Sequence, residues 1–237
     1  MADVDGVPDT VRTALADVPV EGAVTLEAGA GVGNGTAGLL DAGADAVHAV
    51  TDDPDHAATV RERCPAATVL TADLASVPLP DDAVDVVLAH GLFNVLSNAA
   101  AVRIAAELTR VAAPGAWLVV DDYDPLPAGS RIRRLYAVEN ALAELADGRP
   151  AYVFHPEAGL RRLFAGHGWT HERTTTLLEP VPWTGDHMDA RLAAARRMGE
   201  DVPDELAEPL LSRAERLAAD GEERVGRMYS LAMRHAQ

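Results

Sequence analysis

Short apolar runs alternate with amphipathic segments along most of the chain, and glycine, proline or acidic residues separate them. Runs of β-branched and aliphatic residues predict buried strands, whereas apolar residues spaced three and four apart predict helices. The predicted strands span residues 24–27, 46–50, 67–71, 84–89 and 114–122. The helices predicted beside them span residues 8–18, 35–41, 54–63 and 98–112. This alternation with short links predicts a parallel sheet covered by helices on both faces.

The second half of the chain has more helical segments than a simple alternation needs. Helices are predicted over residues 131–146, 156–165, 186–198 and 204–219, with strands ending at residue 178 and spanning 225–233. We expect the helical stretches at about 130–147 and 186–219 to be additions to a single domain that covers residues 1–237. The first addition is expected to cover the active site, and the aromatic stretch 151–155 to line an acceptor pocket.

The first predicted strand runs directly into a turn in which every second residue is glycine. The strand ends at Glu27, and Gly29, Gly31, Gly33 and Gly35 follow. Glycines lack a Cβ atom and tolerate positive φ, so a small ligand can contact the main chain there. Glu27 is expected to point out of the carboxyl edge, where open α/β sheets bind ligands. The stretch therefore predicts a cofactor site.

A second glycine pattern overlaps the first and gives an alternative function. Gly33-x-Gly35-x-x-Gly38 fits the dinucleotide fingerprint, and the acids Asp52 and Asp53 follow at about the expected twenty residues. The fingerprint, however, places its first glycine in the tight turn directly after the strand, whereas Gly33 lies six residues beyond Glu27. A nicotinamide-dependent oxidoreductase is thus the weaker alternative.

Composition narrows the class of protein. The chain has 237 residues, of which 48% are hydrophobic, enough for one full core. It contains no apolar run near the ~18 residues of a membrane span, and residues 1–5 are acidic, unlike a basic signal region. These features predict a cytoplasmic protein without membrane association. The single cysteine, Cys64, excludes an internal disulfide.

The charge balance is strongly acidic and indicates both an environment and a class of substrate. All 20 basic residues are arginines, against 37 acidic residues and a formal charge of −17. Dense carboxylates keep a surface hydrated, and molar salt screens their mutual repulsion, so the composition predicts a halophilic source. Nucleic-acid binding needs basic patches, so a small-molecule substrate is favoured. The pattern indicates no particular oligomeric state.

Two stretches of the sequence resemble one known family. Glu27-x-Gly29-x-Gly31-x-Gly33 resembles motif I of the class I S-adenosylmethionine-dependent methyltransferases. The passage into the fifth strand, with letters LTRVAAPGAWLVVDD, resembles that family's L-x-R-V-L-x-P-G-G. The resemblance covers residues 21–234 except the two helical additions. It implies an α/β three-layer sandwich with a doubly wound, mostly parallel seven-stranded sheet, order 3-2-1-4-5-7-6 with strand 7 antiparallel, and S-adenosyl-L-methionine as cofactor.

The resemblance also implies a set of cofactor-binding residues. The set is Glu27, Gly29, Ala30, Gly31, Gly33, Thr51, Asp52, Asp53, Asp73, Leu74, Ala89 and His90. In the family an acid at the end of strand two binds the ribose hydroxyls, but Thr51 stands at that position here. Asp52 or Asp53 could serve instead, or both could be the N-cap and first-turn acids of the next helix. Asp73 resembles the adenine-side acid, and Leu74 the residue that covers the ring.

His90 is the predicted catalytic residue. It leaves the carboxyl edge of strand four, where the family places groups near the transferring methyl, and a near-neutral imidazole can accept a proton from a nucleophile. Its alternative role is to line the cofactor pocket. The end of strand five carries Asp121, Asp122 and Tyr123, which could bind a substrate cation or ordered water, although we expect the two acids to be solvated. Residues with metal-ligand spacing are lacking, so no metal is predicted.

The function predicted from sequence is methyl transfer from S-adenosylmethionine to a small-molecule acceptor. Two alternatives stay open, namely the oxidoreductase and a catalytically inactive methyltransferase-fold binding protein. Thr51 and the lack of an unmistakable catalytic residue keep the second alternative open. Signatures of base-modifying methyltransferases are absent after strand four, which argues against nucleic-acid bases as acceptors.

Overall fold

A computed structural model describes residues 6–236 of the chain. Residues 1–5, whose acidic character contributed to the expected location, and residue 237 lie outside this part. The helices are α1 (Asp9–Leu15), α2 (Asn34–Asp41), α3 (Pro54–Arg63), α4 (Asn98–Val111), α5 (Arg131–Asp147), α6 (Glu157–Ala165), α7 (Gly185–Gly199) and α8 (Asp204–Ala218). The strands are β1 (Val24–Ala28), β2 (Ala46–Thr51), β3 (Thr68–Thr71), β4 (Val84–His90), β5 (Ala112–Tyr123), β6 (Trp169–Leu178), β7 (Pro182–Trp183), β8 (Glu223–Arg224) and β9 (Met228–His235).

Seven strands form one sheet in the order β3-β2-β1-β4-β5-β9-β6. The pairs among the first five are parallel, whereas β9 runs antiparallel to both β5 and β6. The predicted order, with an antiparallel last strand between the fifth and sixth, is therefore confirmed. The last strand of the sheet is β9 here because the two-residue strands β7 and β8, which the sequence pattern did not predict, form a separate ladder.

The central strands are apolar because both faces of the sheet are covered. In β4, Val86 and Leu88 pack into the core beneath α1 and α2, while Val87 and Ala89 pack into the core with α4 and α6. Successive side chains of a strand point to opposite faces of the sheet, so the continuous apolar run of β4 contributes to both cores. Because β1, β2 and β4 run parallel, they end beside each other at one edge of the sheet, and the loops that follow them lie on the same side.

The helices α5, α7 and α8 pack against one another and form a separate apolar cluster, called the cap here. Its buried residues include Leu135 and Leu142 of α5, Met188 of α7 and Trp183 of β7. The predicted helices over 131–146, 186–198 and 204–219 are each found within one residue of their predicted bounds. Among residues 6–236, no helix has the length and apolar character needed to cross a membrane.

Candidate active site

A cavity of about 530 Å³ opens at the carboxyl edge of β1, β2 and β4. Its volume falls in the range of small-molecule sites, roughly 300–1,000 Å³. Eight of the twelve predicted cofactor-site residues line it, namely Gly29, Gly31, Thr51, Asp52, Asp53, Asp73, Leu74 and His90. The sequence pattern thus identifies most of one continuous wall. Glu27, Ala30, Gly33 and Ala89 do not line the cavity.

The glycine turn forms the floor of this cavity. Gly29, Gly31 and Gly33 all have positive φ, between 48° and 83°. The Gly29 and Ala30 amides donate to the Val50 carbonyl, which fixes the turn against the end of β2. Gly33 is the N-cap of α2 and faces Val60 and Cys64 in the interior, so it supports the turn from below. Of the four glycines in this turn, only Gly29 and Gly31 line the cavity.

Glu27 lies beneath the turn and not at its surface, unlike the expected outward direction. Its side chain is buried and accepts a hydrogen bond from the Thr36 hydroxyl. A Cβ atom at Gly35 would clash with Glu27 Oε1, so this glycine makes room for the carboxylate. Burial raises the pKa of Glu27 to about 7, although the Thr36 hydrogen bond and the charge of His90 oppose the rise. Glu27 therefore connects β1 to α2 under the cavity floor.

After β2, the structure gives different roles to Asp52 and Asp53, which the sequence could not distinguish. Asp53 caps α3, because its Oδ1 accepts from the amides of Asp55 (2.8 Å) and His56 (3.2 Å), and these bonds lower its pKa. Thr51 Oγ1 accepts from the Asp53 amide at 3.2 Å. Asp52 is exposed at the cavity, and within residues 6–236 its carboxylate has no hydrogen-bond or ion-pair partner. The capping alternative thus holds for Asp53, and Asp52 is free for a ligand.

The far end of the cavity combines one acid with apolar walls. Asp73 Oδ1 accepts from the Ala75 amide at 2.8 Å, which uses one of its two carboxylate oxygens. Leu74 is buried beside it, and Ile104 of α4 lines the same region. Arg103 and Arg149 also line the cavity. Sequence reasoning missed these last three residues because they come from α4 and the loop after α5, far from the glycine turn along the chain.

His90 is held by a buried carboxylate at the inner wall of the cavity. Its Nδ1 lies 3.1 Å from Asp121 Oδ2, in the neighbouring strand β5. Asp121 is fully buried, and its Oδ1 has no hydrogen-bond partner in the described part of the chain. An ionised Asp121 fixes the proton on Nδ1 and leaves Nε2 for the cavity that His90 lines. This is the geometry of a positioned general base.

Three carboxyl groups set the protonation of His90. Burial lowers the pKa of His90, but the Asp121 hydrogen bond and charge, with the charges of Glu27 and Asp122, outweigh this and raise it. Asp122 accepts from the Asn94 amide at 2.9 Å and from Asn94 Nδ2 at 2.8 Å. Burial raises the pKa of Asp122 to about 6. The imidazole therefore keeps its proton to higher pH than an exposed histidine does.

The expectation that Asp121 and Asp122 are solvated is wrong. Both side chains are fully buried: Asp121 lies against His90, and Asp122 is covered by the short 3₁₀ helix Phe93–Val95 after β4. Asn94 in this helix is the main partner of Asp122. A helix of three residues is too short to produce a periodic pattern, so nothing in the sequence indicated that the two aspartates are buried.

The dinucleotide fingerprint does not form a ligand site in the structure. Gly33 faces the interior, Gly35 faces Glu27, and a Cβ atom at Gly38 would clash with Val11 of α1. These three glycines serve close packing of α2 against its neighbours. Within residues 6–236 no group of histidine, cysteine and acidic side chains is arranged to hold a metal ion.

Comparison with known proteins agrees with this geometry. Residues 26–120 match the methyltransferase domain family. The sequence is not similar enough to any curated protein to match it. The match begins in β1 and ends in β5, so it contains the glycine turn, all of β2 to β4 and His90.

Solved structures share the fold at low sequence identity. An assigned methyltransferase from Bacillus halodurans is 13% identical, with 97% of this chain and 100% of that chain covered and a TM-score of 0.67. The magnesium protoporphyrin IX methyltransferase of Synechocystis PCC 6803, solved with bound SAH, is 17% identical over 97% and 81%, with a TM-score of 0.60. An assigned sarcosine dimethylglycine methyltransferase from Galdieria sulphuraria is 16% identical over 96% and 84%, with a TM-score of 0.61. The family match over residues 26–120 and the fold shared with these structures agree with the resemblance to the class I S-adenosylmethionine-dependent methyltransferases.

Proposed function

We propose that this chain transfers a methyl group from S-adenosylmethionine to a small-molecule acceptor. The observation that carries the proposal is the cavity at the carboxyl edge of β1, β2 and β4. The backbone of Gly29 and Gly31 lines it, together with carboxylate oxygens of Asp52 and Asp73 that have no hydrogen-bond partner among residues 6–236. The nicotinamide alternative is not favoured, because its fingerprint glycines are used in helix packing.

The residues of the cavity fit this cofactor in three parts. Asp52, free of other partners, can accept from both hydroxyls of a ribose, while Asp53 is committed to the helix cap. Asp73 keeps one oxygen for the exocyclic amino group of an adenine, between the apolar side chains of Leu74 and Ile104. Gly29 and Gly31 leave space for the methionyl part. Glu27 and Gly33 then support the floor without direct contact.

When bound, S-adenosylmethionine would supply a methyl group activated by its sulfonium, since the electron pair of the methyl carbon–sulfur bond leaves with sulfur as the bond to the nucleophile forms. The chain has to orient the acceptor and exclude water, and orientation alone can lower a barrier by several kcal/mol. His90 Nε2 accepts the proton that a hydroxyl or amine nucleophile loses. Asp121 holds the imidazole in the required tautomer and balances the charge that forms.

The cofactor assignment is tested by isothermal titration calorimetry in molar KCl with S-adenosylmethionine, S-adenosylhomocysteine and NAD(H). We expect both adenosyl ligands to bind and NAD(H) not to bind. Asp52→Asn should weaken adenosyl binding about tenfold or more, since hydrogen bonds to charged groups contribute about 1.5–3 kcal/mol. Binding of NAD(H) alone would overturn the proposal.

The matched control is Asp45→Asn. Asp45 is also exposed and directly precedes β2, whereas Asp52 follows it, so the two aspartates mark opposite edges of the sheet. The control removes the same charge and should leave adenosyl binding unchanged. An equal loss in both variants would mean that net charge, and not the ribose contact, determines affinity. Adenosyl binding without turnover of any acceptor would favour the inactive binding protein.

We further propose that the enzyme works in a salt-rich cytoplasm. The proposal is supported by the charge of −17 and by the exclusive use of arginine as the basic residue. A surface of this charge also disfavours nucleic acid as the acceptor.

A further inference from the structure

A smaller hollow adjoins the cofactor cavity on the side of the cap. Its volume is about 300 Å³, and it shares Val95 with the larger cavity. It lies between the 3₁₀ helix after β4 and the cap helices α5 and α7. Its walls include Asn94, Tyr136, Tyr152, His187 and Arg191. A molecule seated here would thus reach the cofactor cavity across a single residue.

Arg191 is held in a fixed plane at this hollow. Its Cζ lies 5.5 Å from the ring centroid of Tyr136 and 5.3 Å from that of Tyr152. Its Nη1 donates to the Tyr152 hydroxyl at 2.5 Å. Tyr136 is fixed in turn by edge contacts with Phe154 and Trp183. The guanidinium is therefore positioned before any ligand arrives, which reduces the entropy lost on binding.

The edge of the Arg191 guanidinium that is not used within the protein is the edge suited to bind a carboxylate. In the described part of the chain, Nε and Nη2 of Arg191 have no hydrogen-bond partner, and 24% of the side chain is accessible. These two nitrogens form the fork that binds both oxygens of a carboxylate. An arginine with only a structural role would be expected to use this fork within the protein.

The contact with Glu139 does not satisfy the charge and the hydrogen-bond donors of Arg191. Only Nη1 approaches Glu139 Oε2, at 3.4 Å, and Glu139 Oε1 is buried without a hydrogen-bond partner among residues 6–236. Burial also raises the pKa of Glu139 to about 7, so near neutral pH its charge is only partly present. Arg191 consequently leaves positive charge at an aromatic hollow, in a chain whose formal charge is −17.

We propose that this hollow is the acceptor site and that it takes a small carboxylate with an aromatic or apolar body. The Arg191 fork binds the carboxylate, and Tyr136 and Tyr152 contact the body. The other end of the molecule then lies past Val95, toward His90 and the cofactor cavity. The assignment of the bound molecule as methyl acceptor rests on the proposed methyl transfer. The preference for a carboxylate does not.

The test compares acids with their amides. The probes are para-hydroxybenzoate, para-hydroxyphenylacetate and indole acetate, each beside its carboxamide, titrated calorimetrically in the absence and presence of S-adenosylhomocysteine. We expect at least one acid to bind about tenfold more tightly than its amide. Arg191→Gln should abolish this preference, while S-adenosylhomocysteine still binds with unchanged affinity. No acid preference across the panel, or a preference that survives Arg191→Gln, overturns the proposal.

Two further variants separate binding from folding. Arg191→Gln leaves the buried Glu139 without its cation, so the double variant Arg191→Gln/Glu139→Gln removes both charges and should lose the acid preference equally. Arg196→Gln is the matched control, because Arg196 lies on the same helix and pairs with Glu215 outside the hollow. It should keep the preference. Failure of S-adenosylhomocysteine to bind the wild-type protein contradicts the proposed function alone, since the acids are also titrated without it.

Discussion

At the scale of single residues, His90 gains its chemistry from side chains that sequence alone does not place beside it. Glu27, Asp121 and Asp122 come from β1 and β5, yet all three act on the protonation of one imidazole. A general base accepts a proton only when it is neutral. Activity is therefore expected to rise with pH through a pKa above the ordinary value of 6.5.

We predict that Asp121→Asn lowers the pKa of His90. The substitution removes the negative charge that stabilises the imidazolium, while desolvation, which favours the neutral ring, remains. The lowering of the His90 pKa is measured by NMR titration of the histidine ring protons. The other histidines serve as internal controls. An unchanged or raised His90 pKa would contradict the proposed role of Asp121 as a positioning residue.

We predict that Glu27→Gln stabilises the protein at high pH. Because the folded-state pKa of about 7 exceeds the ordinary value of 4.5, Glu27 contributes stability below pH 4.5 that is lost as pH rises through 7. A glutamine can still accept from Thr36 and has no such loss. Between pH 5 and 8 the free energy of unfolding should shift in favour of the variant by up to about 3 kcal/mol.

The measurement for Glu27→Gln is urea unfolding across this pH range. Glu62→Gln, on the exposed side of α3, is the control and should change stability little at any pH. A difference between Glu27→Gln and wild type that does not depend on pH would show that the carboxylate is not desolvated in solution.

The sequence predicted which residues surround the cavity better than it predicted what each one does. Asp52 and Asp53 are adjacent and identical, and only the start of α3 decides that Asp53 is the cap. Glu27 lies one residue before the end of β1, close to its predicted place at the last position, but its direction depends on Thr36 in the next helix. Arg191 carried no motif at all, because its partners Tyr136 and Tyr152 lie 55 and 39 residues away along the chain.

At the scale of elements, the β1–turn–α2 unit depends on close packing at Gly35. We predict that Gly35→Ala destabilises the protein by about 1–3 kcal/mol, because the new methyl would meet Glu27 Oε1 and, at 2.9 Å, Leu88 Cδ2. Gly185→Ala is the matched control. Both glycines lie in the first turn of a helix, Gly185 in α7 and Gly35 in α2. A Cβ atom at Gly185 would meet nothing within 4 Å.

Thermal or urea unfolding of both glycine variants measures this difference. The control should be neutral or slightly stabilising, since alanine reduces the entropy of the unfolded chain. Equal effects at the two positions would mean that α2 can move away from β1 without loss. In that case Gly35 would have no special role in seating Glu27.

The sequence predicted elements well where hydrophobic period and length agree. The strands β1, β2, β4 and β5 are largely buried apolar runs, and the helices beside them have start and stop residues such as Pro54 and Gly43. The ladder of β7 and β8 was missed because two-residue strands show no alternation and pair across 40 residues of sequence. The 3₁₀ helix after β4 was missed for the same reason of length.

At the scale of the whole molecule, the acidic surface governs stability. We predict that the melting temperature rises by several degrees between low salt and molar KCl, because salt screens the repulsion among 37 acidic residues that only 20 arginines offset. Differential scanning calorimetry over a KCl series measures it, with NaCl at equal ionic strength as a comparison. A melting temperature that stays constant or falls would contradict the halophilic assignment.

That residues 1–237 form one domain stays a prediction. The apolar cluster of the cap is distinct from the main core of the sheet but includes Met228 of β9, and calorimetry tests whether the two unfold together. We expect one calorimetric transition at each salt concentration, because β9 joins the sheet directly after the cap strand β8. Two transitions would make the cap an independent folding unit.

The cap enters the chain at only two places, after β5 and after β6, and the parallel direction of these strands brings both to the same edge of the sheet. Nothing in the β1–β4 half of the chain is interrupted by it. Under the proposed function, we expect that exchanging residues 124–156 and 179–227 for the corresponding segments of a relative, with Arg149 of the cofactor cavity retained, transfers the acceptor specificity of that relative. In evolutionary terms, a chain with this layout could change the molecule that we propose it modifies, while the segment that we propose to bind the methyl donor is inherited intact.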